Sequence, residues 1–353
     1  MSSTIPEELM PFLSVRRVIL VPLFTLVVMY LVYGFYILLF GTYIYMTCNG
    51  NRGDKQANHN LYLTLTVILF VLSTLFVVDY TIQEVRNSVV LFTTIQNGDY
   101  QMLMDYSTRD VQKTVVFFFR VLIDVLLNIT TNYMLIHRCY LIWSSRKRVA
   151  VPLIVVSVII NAIGLVMCVL STIGTSDSSS DSNWALYLVG NNLAAAYNLG
   201  SAIVNSVLTL LTAGRIWWMH RQARAHGAHA SDAFVSTIFR IILESGALYP
   251  TSMVAALVVS NTPSPFDLAS LTALSAGIAP TLVMIRAKLG KNAEGLQTQV
   301  SDICFTSQLA PSRETATRPH AQMHSTGNLR IVTLNVEAGS EERLSMRKEM
   351  TAV

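Results

Sequence analysis

The stretch from Thr114 to Arg148 most constrains what this chain can become. An apolar run there carries Arg120, Asp124 and Asn128 one helical turn apart. It closes on His137-Arg138-Cys139-Tyr140-Leu141-Ile142-Trp143 and the basic turn Ser144-Ser145-Arg146-Lys147-Arg148. At ~1.5 Å per residue, about thirty residues outrun the ~30 Å of bilayer hydrocarbon. The stretch therefore predicts a spanning helix with an aromatic and basic inner end.

Composition points the same way. The 353 residues are 52% hydrophobic and 13% charged, against about 25% charged for ordinary soluble domains. The apolar excess is expected to face lipid, and membrane lipid is the first partner. The basic residues gather in turns and in the C-terminal tail, which reads as topology and not as nucleic-acid binding. The run Val18–Met46 is far longer than the ~7–15-residue core of a cleavable signal and is taken as the first span. Cys48, Cys139, Cys168 and Cys304 avoid every predicted outer loop, so no external disulfide is expected.

The expected fold class is all-α, a polytopic membrane protein built as a seven-transmembrane helix bundle. Spans are predicted at about 18–46, 61–82, 114–143, 149–174, 187–218, 233–260 and 266–286. Residues 1–17 form a short extracellular N-terminus, 18–288 the transmembrane domain, and 289–353 a cytosolic tail read as disordered from its polar, Ser/Thr-rich composition. The second span is expected to end near Ile82, with a loop to Lys113. Val89-Val90-Leu91-Phe92 in that loop is too short to span; it either extends the helix or lies at the interface. Gly290 marks the expected end of the last helix. Arg52 and Lys55, Arg146 to Arg148, Arg221 and Arg224, and Lys288 and Lys291 fall on one side, giving N-out and C-in, with Arg16 and Arg17 dissenting. A multi-pass membrane location follows, with the plasma membrane the expected one.

Polar residues inside the spans are the candidate sites. A bare charge at mid-bilayer costs at least ~2.5–3.5 kcal/mol, so Asp124 needs a partner, and Arg120 is in reach along its own helix. Arg240 and Glu244 repeat the pattern in the sixth span. Asn191, Asn198 and Asn205 recur every seven residues and share a face of the fifth. Arg120, Asp124, Asn128, Asn191, Asn198, Glu244 and Tyr249 either line a ligand cavity or form a structural polar network. Pro250 and Pro280 free backbone carbonyls and allow bends. Arg138, Tyr140, Trp143, Arg146, Lys147, Arg148, Arg215, Trp217 and Trp218 form an inner cluster, serving as an interfacial anchor or as a docking surface for a cytosolic partner.

Four short motifs stand in order on these helices: Arg138-Cys139-Tyr140-Leu141-Ile142-Trp143; Gly214-Arg215-Ile216-Trp217-Trp218; Glu244-Ser245-Gly246 with Tyr249; and Gly277-Ile278-Ala279-Pro280-Thr281-Leu282. Together they resemble a large, mostly uncharacterised family of basidiomycete seven-transmembrane integral membrane proteins, loosely grouped with G-protein-coupled receptors. The resemblance implies a receptor-like protein that senses an unknown extracellular ligand and signals to a heterotrimeric G protein or another cytosolic partner. His137 stands where rhodopsin-class receptors carry an acidic residue, and Ala279-Pro280 lacks their preceding Asn.

Among the histidines only His137 falls in a predicted span, so a metal hydrolase is not expected; no catalytic residue, metal or other cofactor is assigned. No lysine precedes Lys288 in the seventh span, which excludes a retinal Schiff base there. Two other readings stay open: a secondary or ion- or proton-coupled carrier relying on Asp124 and Glu244, and a non-catalytic membrane scaffold.

Overall fold

The computed structural model describes residues 19–49, 56–98, 100–143, 147–225, 246–256, 258–259 and 268–308. Residues 1–17, Arg146, Arg240, Glu244 and the tail beyond residue 308 lie outside the described residues. Every described element is α-helical.

Helix α1, Val21–Cys48, starts with a proline in its first turn, where the missing N–H costs nothing. Its buried residues, Thr25, Met29, Tyr36, Tyr43 and Thr47, recur at intervals of four and seven and form one narrow seam. Leu31, Phe35 and Leu38 stay exposed, as a helix in lipid permits. The seam packs antiparallel on α2, Gln56–Asn97. Phe40 stacks on Phe70 at 4.0 Å between centroids, Tyr33 Oη meets Thr74 Oγ1 at 2.8 Å, and Tyr30 Oη meets Thr81 Oγ1 at 2.9 Å.

The chain departs from expectation beyond Ile82. There α2 continues unbroken to Asn97, and the predicted loop holds a second helix, α3, Tyr100–Arg109. Gln83, Glu84, Arg86 and Asn87 end the hydropathy of the span but carry nothing that ends a helix. The break comes only at Gly98, in the left-handed region with φ 66. Val89–Phe92 therefore extends the helix. Asp110 caps α4, Val111–Ile142, its carboxylate accepting from Gln112 N at 2.7 Å and Lys113 N at 3.1 Å.

Helices α5, Lys147–Ser176, and α6, Asp181–Ala225, form a hairpin whose glycines set its closeness. A Cβ at Gly174 would lie 2.6 Å from Tyr187 N, and one at Gly190 would lie 2.5 Å from Ser171 Oγ. Residues 246–256 form helix α7, with Pro250 inside it. Helix α8, Ala269–Gln308, passes the expected stop at Gly290 and takes in the first twenty residues assigned to the disordered tail, residues 289–308. One helical glycine costs only about 1 kcal/mol, and good helix formers follow it. By contacts the chain divides into Met1–Val300, which contains all of the spans, and Ser301–Val353, of which 301–308 are helical.

Among the described residues, six helices are long and apolar enough to cross a membrane: α1, α2, α4, α5, α6 and the Ala269–Arg286 part of α8. The expected span at 233–260 is described only in part. The two ends of the bundle differ in chemistry. At one, His137 Nδ1 meets Tyr62 Oη at 2.9 Å, Lys288 Nζ donates to Thr47 Oγ1, and Arg215 lies among tryptophans. At the other, α3 is tied down on both sides. Arg86 pairs with Asp110 at 3.1 Å, Tyr106 Oη donates to Asn87 Oδ1 at 2.5 Å, Arg109 faces Asp177 at 3.5 Å, and Ser178 N donates to Thr108 O at 3.1 Å.

Candidate functional site

Helices α4 to α7 meet around Asn128, which is 4% exposed. Its Nδ2 donates to Tyr197 Oη at 2.9 Å and to Asn161 Oδ1 at 3.3 Å, and its Oδ1 accepts from Ser201 Oγ at 2.7 Å. Ser201 Oγ also meets Tyr249 Oη at 3.1 Å and accepts from Asn205 Nδ2 at 3.5 Å, while Asn161 Nδ2 donates to Ser157 Oγ at 3.3 Å. Four helices are thus joined by side chains that would each be unsatisfied in lipid.

Below this network lies a cavity of about 30 Å³ between α4, α6, α7 and α8, enough for one or two waters. Asn205, Tyr249, Thr131, Thr209 and Arg138 give it polar walls, and Gly246 and Pro280 complete it. The Asn205 Oδ1 atom is buried without a hydrogen-bond partner among the described residues. Pro280 explains one contact here. Lacking an N–H, it leaves the carbonyl of Ala276 without its helical donor, and Thr131 Oγ1 of α4 donates to that carbonyl at 2.9 Å.

The structure brings some of the expected groups together and separates others. Asn128 and Tyr249 are joined through the Ser201 hydroxyl. Of the three asparagines at seven-residue spacing on α6, only Asn205 is buried; Asn191 and Asn198 are exposed. A seven-residue repeat drifts ~20° per heptad on a straight helix, and Tyr197 and Ser201 hold the buried seam instead. The expected intrahelical pair of Arg120 with Asp124 is not formed. Ion pairs form instead between Arg86 and Asp110 and between Arg109 and Asp177. The Arg120 guanidinium lies 5.2 Å from the centroid of Phe117 and 5.9 Å from that of Tyr80, acting electrostatically on both Asp79 and Asp124.

The inner cluster is also divided. Arg138 lines the cavity rather than only facing headgroups. Arg215 stacks between Trp143 at 5.3 Å and Trp218 at 4.4 Å, clamping the ends of α4 and α6. Trp217 and Arg148 are exposed and Tyr140 is half-buried. Lys147 begins α5. Sequence reading missed Asn161, Tyr197, Ser201 and Thr131. A tyrosine or hydroxyl in an apolar span gives no periodic signal, and only its neighbours show its use.

Among the described residues, no three His, Cys, Asp or Glu side chains gather into a group that could hold a metal. Cys48 is exposed, Cys139 and Cys168 are buried, and all three are free thiols.

These features define an all-helical, polytopic membrane protein with a buried polar core. No protein-family model, curated protein or solved structure matches the chain.

Proposed function

We propose that this chain is a receptor-like, non-catalytic membrane protein of seven spans, with the N-terminus outside and the tail in the cytosol. A ligand entering from outside biases the packing of α4, α6, α7 and α8, and their basic ends pass the change to a cytosolic partner, with a heterotrimeric G protein the first candidate. The region 233–260 supplies the seventh span, and the motif resemblance to fungal seven-helix proteins accords with this architecture.

One observation carries the reading. The cavity joins a mid-bundle polar network to Arg138, and two of the helices that carry an internal proline, α7 and α8, border it. Small changes at the network can therefore alter how α7 and α8 seat against α4.

The test is energy transfer between labelled α and βγ subunits in cells making the full-length protein, taking each class of α subunit in turn. A shifted basal signal that Arg138→Ala removes, at unchanged surface expression, is expected. If no α subunit responds, and affinity capture recovers the same cytosolic proteins whether or not the chain is stopped after Lys291, the signalling reading fails.

A second reading, a proton-coupled carrier, is favoured by the succession of polar groups from Asp79, Arg120 and Asp124 through Asn128 and Ser201 to Arg138. Proton flux in proteoliposomes, abolished by Asp124→Asn, would establish it in place of signalling.

A further inference from the structure

Exposed apolar side chains on a membrane bundle are what lipid requires, but α2 carries a stripe that lipid explains only in part. Between residues 68 and 92 every exposed side chain of α2 is apolar, and all the others are buried or half-buried. Ile68, Val71, Leu75 and Val78 form the inner half of the stripe; Ile82, Val85, Val89 and Phe92 form its outer half. Each is between 41% and 60% exposed. They follow one another in alternate steps of three and four residues, an a/d heptad pattern sustained for about three and a half repeats.

The height of the stripe decides what can cover it. Tyr62 stands at the inner end, against His137, and about twenty residues on, near Ile82, the ~30 Å of hydrocarbon is used up. The Arg86–Asp110 pair lies just past that level. Headgroups add ~5–8 Å on each side. Val89 and Phe92 come seven and ten residues after Ile82, which is ~10 and ~15 Å along the helix. Both therefore project past the headgroups into water. Helix α3 does not shield them: Tyr106 holds it to Asn87, and the two side chains stay exposed.

Lipid can cover the inner half of the stripe and a water-soluble protein the outer half, but neither covers both. A continuous cover has to be a helix that is embedded in the same membrane and rises to the same height. The repeat adds a second condition. A strict seven-residue pattern drifts ~20° per heptad on a straight helix and stays in register only against a partner that supercoils with it. The α2 helix of a second copy meets both conditions. Copies insert in the same sense, so two such helices lie parallel and each a or d residue meets its own counterpart. Across that seam the flanking Arg86 faces Thr81 and Asp79 faces Thr74, so no like charges are opposed.

We propose that this protein self-associates through α2, which packs in parallel on α2 of a second copy along residues 68–92. The outer half of the seam gains from removing apolar surface from water, and the inner half from side-chain packing within lipid. The inference holds whether the protein signals or carries, because it concerns a face of α2 that the buried polar network does not use.

The experiment uses the full-length protein in native membranes. Val89→Cys and Phe92→Cys, made singly, are oxidised mildly beside the wild type, which keeps its own four cysteines, and beside Val111→Cys, which is more exposed but lies off the seam on α4. Each seam cysteine should give a disulfide-linked dimer well above the wild-type background, and Val111→Cys should not. Energy transfer between two differently labelled copies needs no cysteine chemistry. It should fall several-fold when Val89→Glu and Phe92→Glu are combined, since both side chains stand in water, and should persist in Val111→Glu. The proposal is overturned if wild-type copies show no energy transfer, if the seam cysteines cross-link no better than Val111→Cys, or if the double glutamate variant leaves the transfer unchanged. A monomeric protein whose Cys at position 89 resists a membrane-impermeant maleimide assigns the stripe to another segment of the same chain, and one whose thiol reacts freely leaves the stripe uncovered; both outcomes defeat self-association.

Discussion

Replacing Asn128 by leucine tests whether the buried network holds the bundle, because volume is nearly kept while the polar centre is removed. Three hydrogen bonds go: to Tyr197, to Asn161 and from Ser201. Ser201 keeps Tyr249 and Asn205, and Asn161 keeps Ser157. Tyr197 Oη loses the one partner its hydroxyl has among the described residues, and Tyr197 is 2% exposed. An orphaned buried hydroxyl costs about 1–3 kcal/mol, and each shared bond in a membrane protein averages about 0.6 kcal/mol. The expected loss is therefore about 2–4 kcal/mol, read as the free energy of unfolding in mixed detergent micelles. Tyr197→Phe removes the orphan, so the double variant should be less destabilised than the two single losses added together, by about 1–2 kcal/mol. A loss below about 0.5 kcal/mol for Asn128→Leu, or strict additivity with Tyr197→Phe, would refute the network as a structural centre.

Thr131→Val should cost about 1 kcal/mol by stranding the Ala276 carbonyl, and the cost should vanish in a Pro280→Ala background, where residue 280 regains its N–H; paired melting curves decide it. Gly174→Ala places a Cβ against the Tyr187 backbone at 2.6 Å, and overpacking of this kind costs about 1–3 kcal/mol; an unchanged melting temperature would contradict the close α5–α6 approach. The Asp177 carboxyl is held below the usual carboxylate range, chiefly by the Ser179 hydroxyl and also by Arg109. Its contribution is present above the unfolded value of about 3.9 and lost as pH falls through the lower folded value. Amide exchange in the turn 177–180 should therefore stay slow at neutral pH and quicken only in strong acid. Trp143→Leu removes one ring of the Arg215 stack and should lower stability by about 0.5–2 kcal/mol, with Trp218→Leu adding less than its own single effect.

Much of this protein was legible without coordinates because lipid is a demanding solvent. A chain that must satisfy its backbone internally and keep charges out of hydrocarbon writes its spans as long apolar runs with aromatic and basic ends. The long apolar runs of α1, α4, α5 and α6 follow from that alone, although α6 begins at Asp181, within the stretch read as an exposed loop. The region after Ile82 did not, since hydropathy reports where lipid ends and not where a helix ends; α2 continues to Gly98 on propensity and on packing against α3.

Within the bundle, sequence singled out Asp124, Asn128 and Tyr249 as groups needing partners, and it could go no further. The partners lie far away in sequence: Tyr197 and Ser201 for Asn128, Thr131 for the carbonyl that Pro280 leaves open, the rings of Phe117 and Tyr80 for Arg120. Periodicity assigns a residue to a face of its own helix. Only the tertiary packing determines which neighbouring helix that face meets, and at what height, because a rotation of ~20° per heptad is enough to turn Asn191 and Asn198 outward while Asn205 stays inside.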